Sequence, residues 1–333
     1  MKTRTVSFAA PCSAVSWACL GGKWESRGPL SSYFDETDTD SFFGQNTWEQ
    51  AESEAQRRVL HRALEKGNLE VEQVDTVFAG DLMNQCIGST FAMRHFPLPF
   101  CGIYGACSTM GEGLILSGLT IAGGGVKQTA VMTSSHFCTA ERQYRMPLPY
   151  GSQRTPTAQW TATAAGCCIL SAEGDGPYLK KAVIGRVVDL GITDTANMGA
   201  AMAPAAIDTL ETLFSDTHTV PADYDLIVTG DLGAVGHRIV TELMGRDGYN
   251  MTKNYTDCGL LLYDRQKQDM HAGGSGAGCS AAVLCGYLLT EMKRGRWQKI
   301  IFAPTGALLS PTSSMQKQSI PGICHAVVWE RER

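Results

Sequence analysis

Asp75 to Leu82 reads DTVFAGDL, and Asp225 to Leu232 reads DLIVTGDL. The two stretches lie 150 residues apart and share Asp, Gly, Asp and Leu, and the strand centres stay apolar, Val77-Phe78 against Ile227-Val228. Each follows a helix-like segment and a short polar link, and each has the β-branched content of a short strand closed by Gly-Asp. Order is kept further along. The Gly-rich turn, helix and strand from Gly105 to Ser135 have a counterpart in Gly273 to Ala307 (GGSGAGCSAAVLCGYLLTEMKRGRWQKIIFAPTGA), and a last strand, Ile323 to Trp329, answers to Thr161 to Leu170. Repetition at a fixed period decides architecture before any single residue does. Two β-α-β-α-β-α-β-β halves are expected, 1–188 and 189–333, with helices on the sheet faces and strand ends meeting at a shared centre. A site is expected between the halves.

The first half carries the chemical signal. Phe100 to Ala122 (FCGIYGACSTMGEGLILSGLTIA) runs from a short apolar strand into a helix, where Leu114, Ile115, Leu119 and Ile121 recur at helical spacing. Cys107 falls in the turn between them, flanked by Gly105, Ala106 and Ser108. A thiol held at a helix mouth faces free N–H groups and a partial positive charge, so either a reactive thiolate or an anion-binding site follows. The bland alternative is one more small buried cysteine among 12.

Composition bounds the rest. With 333 residues and 44% hydrophobic content the chain can bury a large core. Net charge is −5 with scattered Lys and Arg, which argues against a nucleic-acid face or a polybasic membrane anchor. No apolar run reaches the roughly 18 to 20 residues of a membrane span, and Pro11, Ser13, Ser16 and Trp17 interrupt the core a secretory signal needs. None of the cysteines forms a C-x-x-C pair, so zinc ribbons and thioredoxin chemistry find no support, and a reducing, cytosolic setting is expected. Asp38 and Asp40 lack calcium-loop spacing, so no intrinsic metal site and no cofactor are expected.

Along the chain, an opening strand leads into an irregular excursion to about residue 45. Thr47 to Lys66 is predicted as a helix with Thr47 as N-cap, ending at Gly67, and Asn84 to His95 as a second. Thr129 to Ser134 is predicted as a strand that delivers Ser135 and His136 at its end, followed by a polar excursion, Thr139 to Trp160, carrying Arg142, Arg145 and Arg154. Two more strands, Thr161 to Leu170 and Leu179 to Val188, close the first half.

The two repeats, with a cysteine elbow in one and GGSGAGCSA in the other, resemble the thiolase and ketoacyl-synthase superfamily. More narrowly, FAGDLMNQ, YGACSTMGEG, TSSHFCTAERQYR, TAQWTATAAG, GRVVDLGITDTANMGAAMAPAA, TDCGLLLYD and TGALLSPTSSMQKQSIPGICHAVVWE resemble the stage V sporulation AD family of spore-forming bacteria. The resemblance implies a five-layer αβαβα sandwich of the α/β class, thiolase-like and homodimeric. It further implies binding of pyridine-2,6-dicarboxylate (dipicolinic acid), free or as its calcium chelate. The setting implied is peripheral, on the cytoplasmic side of the forespore or spore inner membrane, beside other stage V sporulation A-type membrane proteins that move the acid in sporulation and germination.

Condensation chemistry needs a thiolate, an oxyanion hole and a proton-moving partner. Cys107 matches the superfamily's nucleophile. Against the family pattern, Gly274-Ser275-Gly276 stands where ketoacyl synthases have an asparagine, and Gly278-Cys279-Ser280 where thiolases have Gly-His-Pro. Asn254 to Cys258 carries no imidazole, and Gly322 and His325 replace a cysteine and a glycine. The expectation is therefore a ligand site and not a catalytic one, with Cys107, His136 and His325 converging, Asn84 and Ser275 as neutral partners, and Arg142 or Arg145 as donors to a carboxylate. An active acyltransferase using Cys107, and a scaffold with a vestigial pocket, are the alternatives.

Overall fold

The computed structural model describes residues 3–144 and 154–332, without the side chain of Gln143. In the first half, β1 (Thr5–Gly21) touches a two-residue strand, β2 (Glu36–Thr37), before α1 (Trp48–Gly67). Thr47 caps α1 as expected, its side chain accepting from the Gln50 N–H at 3.2 Å. Next come β3 (Thr76–Gly80), α2 (Ile87–Met93), β4 (Phe100–Gly102), α3 (Thr109–Ala122), β5 (Gln128–Ser135) and α4 (Phe137–Tyr144). A short β6 (Trp160–Thr161) precedes β7 (Ala164–Ser171).

The second half follows the same order. It runs through β8 (Tyr178–Val183), α5 (Met198–Thr217), β9 (Leu226–Thr229), α6 (Gly233–Arg246), β10 (Tyr255–Asp257), α7 (Cys258–Leu262) and β11 (Gly274–Ser275). Then α8 (Ala277–Ala282) continues through a π-helical turn, Val283–Leu288, into α9 (Leu289–Lys293). The chain closes with β12 (Lys299–Ala303), β13 (Thr305–Ala307), α10 (Pro311–Met315), β14 (Gly322–Cys324) and β15 (Ala326–Glu330).

The main sheet is ordered β10-β9-β12-β15-β8-β1-β7-β5-β3-β4. Read from its two ends, it repeats itself. β4, β3 and β5 are parallel and are followed by antiparallel β7; β10, β9 and β12 are parallel and are followed by antiparallel β15. β8 thus holds in the second half the place β1 holds in the first. In strand order β8, which the expected boundary at 188 leaves in the first half, is the counterpart of β1. An apolar strand read alone does not say which repeat it opens.

The cores confirm the layering. Ala51, Ala55, Val59 and Ala63 of α1 pack on β3, β5 and β7 from outside, and Ala201, Ala205, Leu210 and Leu213 of α5 pack on the second set of strands. The central cluster takes Met110, Leu114 and Ile115 from α3 and Cys279, Ala281 and Leu284 from the α8 helix, between the inner faces of both sets. Helix, sheet, helix, sheet, helix is the expected five-layer sandwich, and α3 and α8 lie at its middle. No helix among the described residues is long and apolar enough to cross a membrane.

Candidate functional site

The elbow before α3 is built by local hydrogen bonds. Ser108 donates its hydroxyl to the Gly105 carbonyl at 2.7 Å, Thr109 donates to the Ala106 carbonyl at 2.6 Å, and the Gly105 N–H returns to the Thr109 hydroxyl at 3.0 Å. Ala106 sits at φ +51°, a left-handed conformation that costs a non-glycine residue and turns Cys107 off the strand direction. The second half closes on this turn. A Cβ on Gly306 of β13 would come 2.3 Å from the Gly105 carbonyl oxygen, and Ser280 of α8 donates to the Cys107 carbonyl at 3.4 Å.

Cys107 opens into a cavity of about 30 Å3, room for one or two waters. Leu82, Ala106, Ala140, Glu141, Tyr144, Thr161 and Ser275 line it, with Met198, Ala307 and Leu309 from the second half. Ser275 is delivered by β11, which pairs in parallel with β6 so that Ser275 and Thr161 stand side by side. Thr161 donates to Glu141 at 2.9 Å. Tyr144, from the last turn of α4, closes the top; its hydroxyl donates to the Leu82 carbonyl and meets the Tyr104 hydroxyl at 2.8 Å.

Of the residues expected at the site, Cys107 and Ser275 share this cavity. The others go elsewhere. His136 reaches the Ser41 carbonyl through Nε2 at 2.8 Å and stacks edge-on against Phe43; burial holds its pKa below the ordinary imidazole value. His325 accepts the Gly185 N–H on Nδ1 at 3.2 Å, and burial lowers its pKa to about 4, so the ring is neutral at physiological pH. It packs behind α3, where a Cβ on Gly111 would approach it to 3.2 Å. Asn84 and Arg142 line a separate cleft of about 430 Å3 with Glu49, Met83 and Thr139, and Arg142 pairs with Glu49. The expected convergence of two imidazoles and an arginine on Cys107 is thus corrected: each is claimed by a partner outside the cavity. Arg145 falls outside the described residues, and Arg154 lies over the Trp160 ring at 4.7 Å. Glu141, Tyr144 and Thr161 were missed because they sit in or beside the segment read as a polar excursion; the Ala140-Glu141 step of a short helix is a faint signal there.

Behind the cavity lie four buried carboxylates. Asp81 accepts from the Met83 N–H at 2.9 Å, the Ser89 N–H at 2.8 Å and the Ser89 hydroxyl at 2.7 Å. Its neighbour Glu52 accepts from Ser134 and shares a hydrogen bond with the Thr139 hydroxyl. In the second half Asp257 accepts from Thr229 at 2.7 Å and from the N–H groups of Leu232, Gly233 and Gly259 at about 3 Å, tying the starts of α6 and α7 together. Asp231 has no such partners: neither of its oxygens makes a hydrogen bond of ordinary geometry, and burial, then Asp257, raise its pKa well above the carboxylate range against the pull of the Gly276 N–H. Asp257, with four donors, holds the charge of the pair, and Asp231 holds a proton. No group of three or more His, Cys, Asp or Glu among the described residues is placed to hold a metal.

The family model of stage V sporulation protein AD matches residues 2–330. Stage V sporulation protein AD of Bacillus subtilis (strain 168) is 41% identical over 328 residues, 98% of this chain and 97% of that protein. Among solved structures, 3-oxoacyl-[acyl-carrier-protein] synthase III of Aquifex aeolicus aligns with a TM-score of 0.61 at 11% identity, over 96% of this chain and 99% of that one. Cerulenin-bound OleA of Xanthomonas campestris aligns at 0.62 and 13%, over 96% of each chain. At such identities the structures speak for the fold alone. The chain belongs to the stage V sporulation protein AD family, built on the fold of the condensing enzymes.

Proposed function

We propose that the chain binds dipicolinic acid, free or as its calcium chelate, in the Cys107 cavity. In this reading it acts as a peripheral component of the sporulation complex that moves the acid across the spore inner membrane, on the cytoplasmic side and beside stage V sporulation A-type membrane proteins. The observation that carries it is the cavity's lining: among the described residues, Cys107 sits with Ser275, Thr161, Tyr144 and Glu141 and with no histidine, lysine, arginine or asparagine. A condensing site needs a nitrogen base or amide to move protons and hold an oxyanion; a binding site does not. Hydroxyl donors and the N-terminus of α3 suit carboxylate oxygens, and Glu141 favours a ligand whose charge calcium has already offset. A homodimer fits the same reading, since β4 ends the sheet with an open edge beside exposed Ile87 and Phe91 of α2.

Calorimetric titration with dipicolinate, with and without calcium, tests it. Saturable binding between micromolar and millimolar, roughly −8 to −4 kcal/mol, weakened at least tenfold by Cys107→Ala and by Ser275→Ala, is the expected result. Undiminished binding in both variants sinks this location, and no binding at all sinks the reading and favours a scaffold. The elbow at Ala106 favours one second reading, an acyltransferase. Mass-spectrometric acylation of Cys107 by an acyl-CoA would establish it.

A further inference from the structure

The Cys107 cavity is too small for any ligand larger than a water or two, so its wall must move, and α4 is the wall that carries Ala140, Glu141 and Tyr144. Several ties hold α4 to the rest of the first half, among them the Thr161 hydroxyl on Glu141 at 2.9 Å and the Phe137 N–H on the Thr163 hydroxyl at 3.1 Å. Tyr144 is bound to the Leu82 carbonyl and Tyr104, Arg142 pairs with Glu49 at the surface, and Thr139 meets Glu52 at 2.6 Å in the interior.

The interior tie ends a continuous hydrogen-bonded chain. Ser89 donates to Asp81 at 2.7 Å, and Gln56 Nε2 donates to Ser89 at 3.0 Å and to Ser134 at 2.8 Å. Ser134 donates to Glu52 Oε1 at 3.0 Å, and Glu52 Oε2 lies against Thr139. No cation enters. Glu52 faces Asp81 from the end of β3, Ser134 from β5 and Thr139 from α4; Arg142 is engaged by Glu49, and His136, whose pKa burial lowers, turns to Ser41.

The geometry of Thr139 suits a proton on Glu52. Thr139 Oγ1 is 2.6 Å from Glu52 and 2.9 Å from the His136 carbonyl, both acceptors if Glu52 is charged. A hydroxyl has one hydrogen, and a protonated Glu52 that donates to Thr139 frees that hydrogen for the His136 carbonyl, so that each contact has its own proton.

We infer that protonated Glu52 is a positioning residue, a latch that holds α4 and its Tyr144 closed over the Cys107 cavity and lets go when its proton passes to water. Burial and then Asp81 raise the Glu52 pKa to about 8, which agrees with the hydrogen-bond count. The solvent cleft beside α4 already reaches Thr139, which touches Glu52. When α4 swings out, Glu52 is wetted, its O–H bond breaks, and the carboxylate is left in water. The closed state therefore binds one proton more than the open state, and rising pH favours opening.

The inference rests on the Cys107 cavity being the ligand site, but its test needs no ligand. The native full chain is alkylated with iodoacetamide and the rate at Cys107 is read by peptide mass spectrometry, in wild type and in Glu52→Gln, with exposed Cys101 as reference. Dividing one Cys107 rate by the other cancels the thiol's own titration. The expected ratio rises with pH, by up to about tenfold per unit, and levels near pH 8. A flat ratio near one overturns the latch. Should Glu52→Gln not fold, Thr139→Val serves: Cys107 is alkylated several-fold faster at low pH, with the pH dependence relative to Cys101 lost, and an unchanged profile overturns the inference equally. A working latch with no dipicolinate binding in the titration above would sink the ligand reading and leave the latch standing; a flat ratio with normal binding does the reverse.

Discussion

Asp81 and Asp231 occupy the same position in the two halves and lead opposite lives. The first accepts three hydrogen bonds and anchors the start of α2; the second is buried without an ordinary partner, and Asp257, from a neighbouring strand, has taken over the anchoring of α6 and α7. Elsewhere the repeat is faithful. Asp75 accepts the N–H groups of Lys127 and Gln128, and Asp225 accepts those of Gln298 and Lys299, each tying its strand to the next. Gly80 and Gly230 both lie too close to a crossing chain for a side chain, the Ile103 carbonyl at 2.2 Å and Pro304 Cα at 2.4 Å from a Cβ. The duplicated structure preserves what aligns strands and varies what faces the centre.

The largest effect should come from the residue that took over. Asp257→Ala strands three backbone N–H groups in the interior, and a loss of about 4 kcal/mol in denaturant unfolding is expected. Gly80→Ala and Gly230→Ala should each cost about 3 kcal/mol; a large difference between them would break the equivalence of the two strands. Asp81→Asn should cost about 2 kcal/mol, whereas Asp231→Asn should be neutral or stabilising near neutral pH. Here the sign follows from the proton. The native state keeps Asp231 protonated while the unfolded chain releases that proton near pH 4, so its contribution is whole in acid and is lost as pH rises above that value. Unfolding curves across that range should be flatter in Asp231→Asn than in wild type. Smallest of all, Asp75→Ala and Asp225→Ala should each cost about 1 kcal/mol, and by equal amounts.

The equivalence of those strands is what made the fold readable. An eight-residue match placed β3 and β9, and the elbow and the Gly-rich turn placed Cys107 and Ser275, because each depends on neighbours in sequence: a strand, a tight turn, a helix start. His136 failed for the opposite reason. It does lie just past the end of β5, as expected, but its partner Ser41 comes from the irregular stretch after β1, whose path no periodicity announces. Glu141 and Thr161 face each other across a segment with little pattern, so their meeting was not legible, and neither was the Glu52 chain, which joins α1, α2, β3, β5 and α4 through hydroxyls and an amide.

One strand belongs to both halves. The end of β1 runs along β7 from Ser13 to Gly21, while its start runs along β8 from Thr5, a partner more than half the chain away. Neither half can complete its sheet alone, and either one cut free would expose a row of unpaired backbone groups to whatever strand came near. The two repeats should therefore melt in one transition, refold slowly because their most distant pairing closes late, and fail to assemble from separately made fragments unless both are present from the start.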